Sequence, residues 1–225
     1  MLPRDGAFES CAVVGNGGGL LLKENGALID GHTAVFRFNG GIVRGFEQYV
    51  GERTTFRLAN FDHFAFHEDG APPVEGAVLQ HVTRPEALQK LSGWCANGDE
   101  RRHNLTVAAL DPEFHYHVLN TVARGGPSNG FYGTILAVEL CKHVTLFGFQ
   151  KDWKASAGRV KYHYYDAVEP TDTQGARDTS EKARFAQYVR EVNEYAAKCA
   201  ADGCSDPRVD KSPGAAAKIV YAPSQ

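Results

Sequence analysis

The stretch that most constrains this chain is Cys11-Ala-Val-Val-Gly15-Asn16-Gly17-Gly18-Gly19-Leu20. A short β-forming run enters a loop in which four of the five residues from Gly15 to Gly19 are glycine. Without Cβ atoms, such a loop brings its backbone N–H groups close to an anion, and the strand feeding it fixes where that anion lies. The spacing is not the dinucleotide fingerprint G-x-G-x-x-G, because Leu20 stands where the third glycine belongs. That disfavours an oxidoreductase or methyltransferase of the Rossmann type. From this stretch alone, a tight glycine turn after a buried strand accounts for the loop equally well.

The rest of the pattern predicts what surrounds the loop. Strands are expected at 11–15, 33–39, 54–60, 76–82, 105–110, 144–149 and 217–221, with residues 1–10 as a loose lead-in. A helix opens at Pro85 and runs to Leu91, 93–102 reads as a polar loop, and Asp111-Pro112 ends a strand. Ser128 supplies an N-cap to a helix whose apolar stripe is Phe131, Ile135, Val138 and Cys141. A second amphipathic helix is expected over 178–201, while 150–177 shows no period. Strands alternating with helices predict one α/β, Rossmann-like domain over 1–225, a mostly parallel sheet flanked by helices. In such a sheet a ligand lies beyond the carboxyl ends of the strands.

Composition sets further bounds. A net charge of −3 leaves no polybasic footprint, so no nucleic acid polymer is expected as a partner. No apolar run approaches the roughly 20 residues of a membrane span, and no signal-peptide core is visible. Five cysteines, at 11, 95, 141, 199 and 204, do not by themselves define a disulfide framework. Cys199 and Cys204 are near enough in sequence to pair, or to stay free. Asn104-Leu105-Thr106 is a glycosylation sequon at the start of an expected strand.

Three groups of residues carry a family resemblance. Cys11…Gly15-Asn16, Ile29-Asp30, Phe36-Arg37-x-Asn39 and Gly51-x-Arg53-Thr54-Thr55 resemble the large sialyl motif of the eukaryotic sialyltransferases, glycosyltransferase family 29. Pro127-Ser128-Asn129-Gly130-Phe131…Cys141…Val144-x-Leu146-x-Gly148-Phe149 is similar to the small sialyl motif, and His163-Tyr164-Tyr165-Asp166 to the third motif. The resemblance implies a GT-A-like sialyltransferase fold and a cystine joining Cys11 to Cys141. It implies transfer of sialic acid, or a related acidic sugar, from a CMP-sugar donor to a glycan hydroxyl, inverting and metal-independent. Acceptors would be glycans on glycoproteins or glycolipids, and the setting the Golgi lumen. No cofactor or metal is expected beyond the donor substrate, CMP-sialic acid, and no Asp-x-Asp pair occurs in the chain. By resemblance, Asn16, Gly17, Asn39, Ser128, Asn129 and Gly130 hold the cytidine monophosphate part. His163 faces the donor phosphate as the catalytic residue, oriented by Asp166.

The chain departs from the family at one chemical step. The very small motif, His-x4-Glu, supplies the general base, and here Glu181 matches the glutamate while Ala176 stands in the histidine's place. No histidine follows His163. Asp178-Thr-Ser-Glu181 also has the pattern of a helix capping box, which accounts for Glu181 locally. Gly17 replaces the usual serine and Asn129 the usual threonine. The alternative to an active transferase is therefore a catalytically impaired CMP-binding relative. Acceptor specificity is expected in 61–103 and 150–177.

Overall fold

A computed structural model describes residues 7–122, 126–149, 160–167, 172–202 and 217–222. The strands are β1 (Phe8–Val14), β2 (Ala34–Phe38), β3 (Phe56–Ala59), β4 (Ala77–Gln80), β5 (Val107–Ala109), β6 (Cys141–Phe147) and β7 (Lys218–Tyr221). They form one sheet in the order β5-β4-β3-β2-β1-β6-β7, parallel at every pairing. From β1 the chain moves to one side for β2 to β5, then returns to the other side for β6 and β7. The reversal falls between β1 and β6, where an open α/β sheet forms its ligand crevice.

Parallel strands covered on both faces bury both alternating sets of side chains. On β1, Cys11 and Val13 face a core shared with Phe36, Phe38, Phe131, Ile135 and Phe185. Ala12 and Val14 face the opposite core, with Val35, Ile29, Phe147 and Tyr164. The helices are α1 (Gly26–Asp30), α2 (Glu47–Val50), α3 (Pro85–Asn97), α4 (Asp99–His103), α5 (Pro112–His117), α6 (Asn129–Leu140) and α7 (Asp172–Asp202). The α6 helix lies hard against the sheet: a Cβ at Gly133 would stand 2.3 Å from a Phe38 ring carbon.

The Cys11–Cys141 disulfide is present, with Cα atoms 6.1 Å apart, and ties the middle of β1 to the α6–β6 junction. Cys95 is a free, exposed thiol. Cys199 is disulfide-bonded, whereas Cys204 lies outside the described residues. Among the described residues, no helix is long and apolar enough to cross a membrane.

Several elements differ from the sequence expectation. Strand β1 begins inside the lead-in, at Phe8, because Phe8 and Ser10 pair with Cys141 and His143. The polar stretch 93–102 is helical, as α3 and α4 separated by Gly98 at φ +70°. Its helices bury almost nothing, Ala87 alone in α3, so the stretch carries no apolar stripe to read. Helix α5, capped by Asp111 through a 2.7 Å bond from the Glu113 N–H, was not expected. Helix α7 starts at Asp172, not 178, so Asp178 lies inside it and the capping-box reading of Glu181 is wrong.

Candidate functional site

The crevice is built from loops that follow β1, β2, β3 and β6. After β1, Gly15 N–H donates to Phe147 O of β6 at 2.8 Å, which brings the glycine loop beside the end of β6. Gly17 pairs as an antiparallel bridge with His163, and Tyr164 N–H donates to Asn16 O at 3.0 Å. The approach needs glycine, since a Cβ on Gly18 would stand 2.2 Å from Lys161 O. Asn16 Nδ2 donates to Phe38 O at 3.1 Å and to Tyr165 Oη at 3.3 Å, joining the end of β2 to the His163 segment.

After β2, Asn39 adopts φ +48°, a conformation few non-glycine residues take. The buried guanidinium of Arg57 holds it there, donating to Asn39 O at 2.7 Å and Gly41 O at 3.0 Å. Burial first, and repulsion from Arg37 second, lower Arg57 to about 10. Asn39 Oδ1 accepts from Asn129 Nδ2 at 2.7 Å and from Asn60 N–H at 3.1 Å. The ends of β2 and β3 and the first turn of α6 thereby meet at one amide oxygen.

Ser128 caps α6, its Oγ accepting from Phe131 N–H at 3.3 Å. Its own N–H and Oγ–H both donate to the buried carboxylate of Glu181, at 2.7 and 2.6 Å. Glu181 therefore acts across the fold, orienting the start of α6 from α7. Gly130 packs under Phe149, where a Cβ would stand 3.0 Å from the ring, and Phe149 stacks on Phe185. His163 Nδ1 donates to Asp166 Oδ2 at 2.7 Å, and its ring stacks on Tyr165 with centroids 5.1 Å apart.

The structure thus brings Asn16, Gly17, Asn39, Ser128, Asn129, Gly130 and His163 together at the carboxyl ends of the strands, with Cys11 and Cys141 buried within the sheet beneath. Sequence reasoning missed Arg57, Asn60 and the partner of Glu181. Arg57 had a signal, a charged residue inside an apolar strand; the other two depend on contacts remote in sequence.

The family model described as "Glycosyltransferase family 29 (sialyltransferase)" matches residues 3–191. The chain belongs to that family. Relatives of this sialyltransferase-family chain include sialyltransferase-like protein 1 of Oryza sativa subsp. indica, 28% identical over 201 residues, covering 73% of this chain and 48% of that protein. Beta-galactoside alpha-2,6-sialyltransferase 2 of Takifugu rubripes is 30% identical over 193 residues, covering 74% and 35%. The chain spans half or less of the length of these relatives. A crystal structure of a mammalian sialyltransferase has a TM-score of 0.59 and 25% identity, covering 80% of this chain and 67% of that one. A second, in complex with Gal-beta-1-3GalNAc-ortho-nitrophenol, gives 0.57 and 25%, covering 79% and 67%.

Within the sialyltransferase pattern, the glycine at 17 has a local reason. A Cβ there would stand 2.8 Å from Gly148 O, so a serine fits only if two loops separate. Among the described residues no group of three or more His, Cys, Asp and Glu has the arrangement of a metal site.

Proposed function

We propose that this chain transfers sialic acid, or a related acidic sugar, from a CMP-sugar to a glycan hydroxyl, with inversion and without a metal ion. The observation that carries the reading is the meeting of the glycine loop, Asn39, the Ser128 end of α6 and His163 at the switch point of the sheet. Backbone N–H groups of the loop and of the first turn of α6 suit a phosphate. Asn39 Nδ2 and Asn129 Oδ1 make no hydrogen bond among the described residues, which leaves one amide donor and one acceptor for ribose or base.

His163 supplies the charge for the departing group. Asp166 takes its Nδ1–H, so in the imidazolium form Nε2–H is the donor left to meet the phosphate as negative charge develops. That arrangement, and the lack of an Asp-x-Asp pair, support metal-independent chemistry. In a single inverting displacement the acceptor oxygen bonds the anomeric carbon as the bond to phosphate breaks. The electron pair goes to the phosphate oxygen, and CMP leaves. The acceptor would be a glycan on a glycoprotein or glycolipid, β-galactosides being named for the relatives, and the setting the Golgi lumen. Ala176 favours a second reading, CMP binding without transfer.

Two measurements test this. Calorimetric titration with CMP is expected to give saturable binding; no heat at millimolar CMP overturns the donor site. Radiolabelled CMP-sialic acid with Gal-beta-1-3GalNAc-ortho-nitrophenol is expected to give product above the protein-free control. Binding without product selects the second reading.

A further inference from the structure

The acceptor hydroxyl must lose a proton, and Ala176 stands where the family keeps a histidine for that step. The inference that follows rests on the CMP-sugar transferase reading of the site. Asp166 is engaged with His163. One other imidazole borders the Asn39 junction. We propose that His63 is the general base, with Nε2 as the atom that receives the acceptor's proton.

The geometry runs through Asn60. Asn60 caps the short 3-10 turn Phe61–His63, its Oδ1 accepting from the His63 backbone N–H at 3.2 Å. His63 Nδ1 lies 2.9 Å from the same oxygen. An amide oxygen has no proton to give, so Nδ1 carries the hydrogen and the lone pair sits on Nε2. Asn60 is itself fixed, since its N–H donates to Asn39 Oδ1 at 3.1 Å and its O accepts from Gln80 Nε2 at 2.9 Å. The ring therefore hangs from the amide junction that also seats Asn129. Its Nε2 edge lies over Gly40, where a Cβ would stand 3.2 Å from Nε2, and Nε2 has no hydrogen bond among the described residues.

The surroundings favour the neutral form of that ring. Burial lowers its proton affinity most; Asp62 beside it works against this, while Arg57 and His163 lower it further. The Phe66 ring, 6.4 Å away between centroids, adds no charge. The two histidines are held for opposite tasks. A carboxylate anchors His163; a neutral amide anchors His63 and leaves a basic nitrogen. In the step proposed, the acceptor O–H bond breaks toward Nε2 as the oxygen bonds the anomeric carbon. The phosphate oxygen keeps the electron pair of the broken C–O bond, and His63 returns its proton to solvent.

The test compares wild type with His63→Asn, which keeps a donor to Asn60, and with His63→Gln. Each is assayed for CMP binding and for transfer from CMP-sialic acid to Gal-beta-1-3GalNAc-ortho-nitrophenol and to water. The expected result is CMP affinity unchanged, kcat lower by about 10²-fold or more, and loss of the acid-side limb of the kcat/KM profile. Nitrogen-15 NMR of the wild type should show the hydrogen on Nδ1 of His63. Transfer at the wild-type rate in both variants overturns the proposal, as does a hydrogen on Nε2. A fall in CMP affinity matching the fall in rate also overturns it, by making His63 a phosphate contact. Wild type that binds CMP but transfers to neither acceptor overturns it too. No CMP binding by wild type sinks the donor reading instead.

Discussion

The two halves of the sheet treat polar groups differently. Around the ends of β1, β2 and β6, the polar side chains close on one another: Asn16 on Tyr165, Asn39 on Asn129, Ser128 on Glu181. At the end of β4, His81 is buried against Tyr132 and His115, with ring centroids 4.7 and 6.1 Å away, and its Nε2 has no partner. Only the outer pair of that cluster is satisfied, His115 Nδ1 to Tyr132 Oη at 2.8 Å. The first half is stapled by a disulfide; the second ends in the three-residue edge strand β5. The contrast assigns stability to the half that would grip a phosphate, and acid sensitivity to the half beside it.

The largest expected effect breaks the staple. The Cys11–Cys141 bond closes a sequence separation of 130 residues. In the chain-entropy account such a loop is worth about 5 kcal/mol. The Cys11→Ala/Cys141→Ala variant should lose most of that in denaturant unfolding at fixed pH. A loss below about 1 kcal/mol would mean that packing alone fixes β1 against β6, and the contrast between halves would weaken.

The next effect concerns the other half. Burial first, then repulsion from His115, lowers His81 to about 4 from its usual 6.5. The unfolded chain then binds the proton before the folded one does. The native state thus loses stability as pH falls through 6.5 and toward 4, by about 3 kcal/mol at the lower end. His115 is lowered as well, by burial, and adds in the same direction. Thermal unfolding at several pH values, wild type against His81→Gln, measures this. A flatter acid limb in the variant is expected; identical limbs would move the acid sensitivity elsewhere.

What was legible in the sequence follows the same division. The parallel α/β sheet was readable because strand and helix periods carry it, and Ser128 announced its helix because a cap is a local signal. Cys11 and Cys141 were paired through the family resemblance, not by spacing. Glu181 was misread because a local pattern, Asp178 three residues before it, hid a bond to a residue 53 positions away. His81, His115 and Tyr132 carry no shared signal, since nothing local marks residues that only the topology assembles. The helix opening at Pro85 was readable from its proline, but its continuation through 93–102 was lost because α3 and α4 bury too little to show a stripe. His63, in a three-residue turn, shows its role only through Asn60 and Asn39.

The smallest effect sharpens the comparison inside the half proposed to grip the phosphate. Gly17 and Gly130 border the same crevice, but their added Cβ atoms meet different things. At Gly17 the obstacle is backbone, Gly148 O at 2.8 Å, and Gly148 itself holds φ +73°. At Gly130 it is the Phe149 ring at 3.0 Å, a side chain able to yield. Gly17→Ala should therefore cost about 1–3 kcal/mol, the range for overpacking. Gly130→Ala should fall near zero, since about 1 kcal/mol of helix propensity offsets the crowding. Because Gly17 bridges to His163, its variant should also weaken CMP binding, whereas the Gly130 variant should bind more nearly as wild type does. Equal stability and equal affinity for the two would show that the glycine loop yields as freely as a phenylalanine ring, and the rigidity assigned to this half would rest on the disulfide alone.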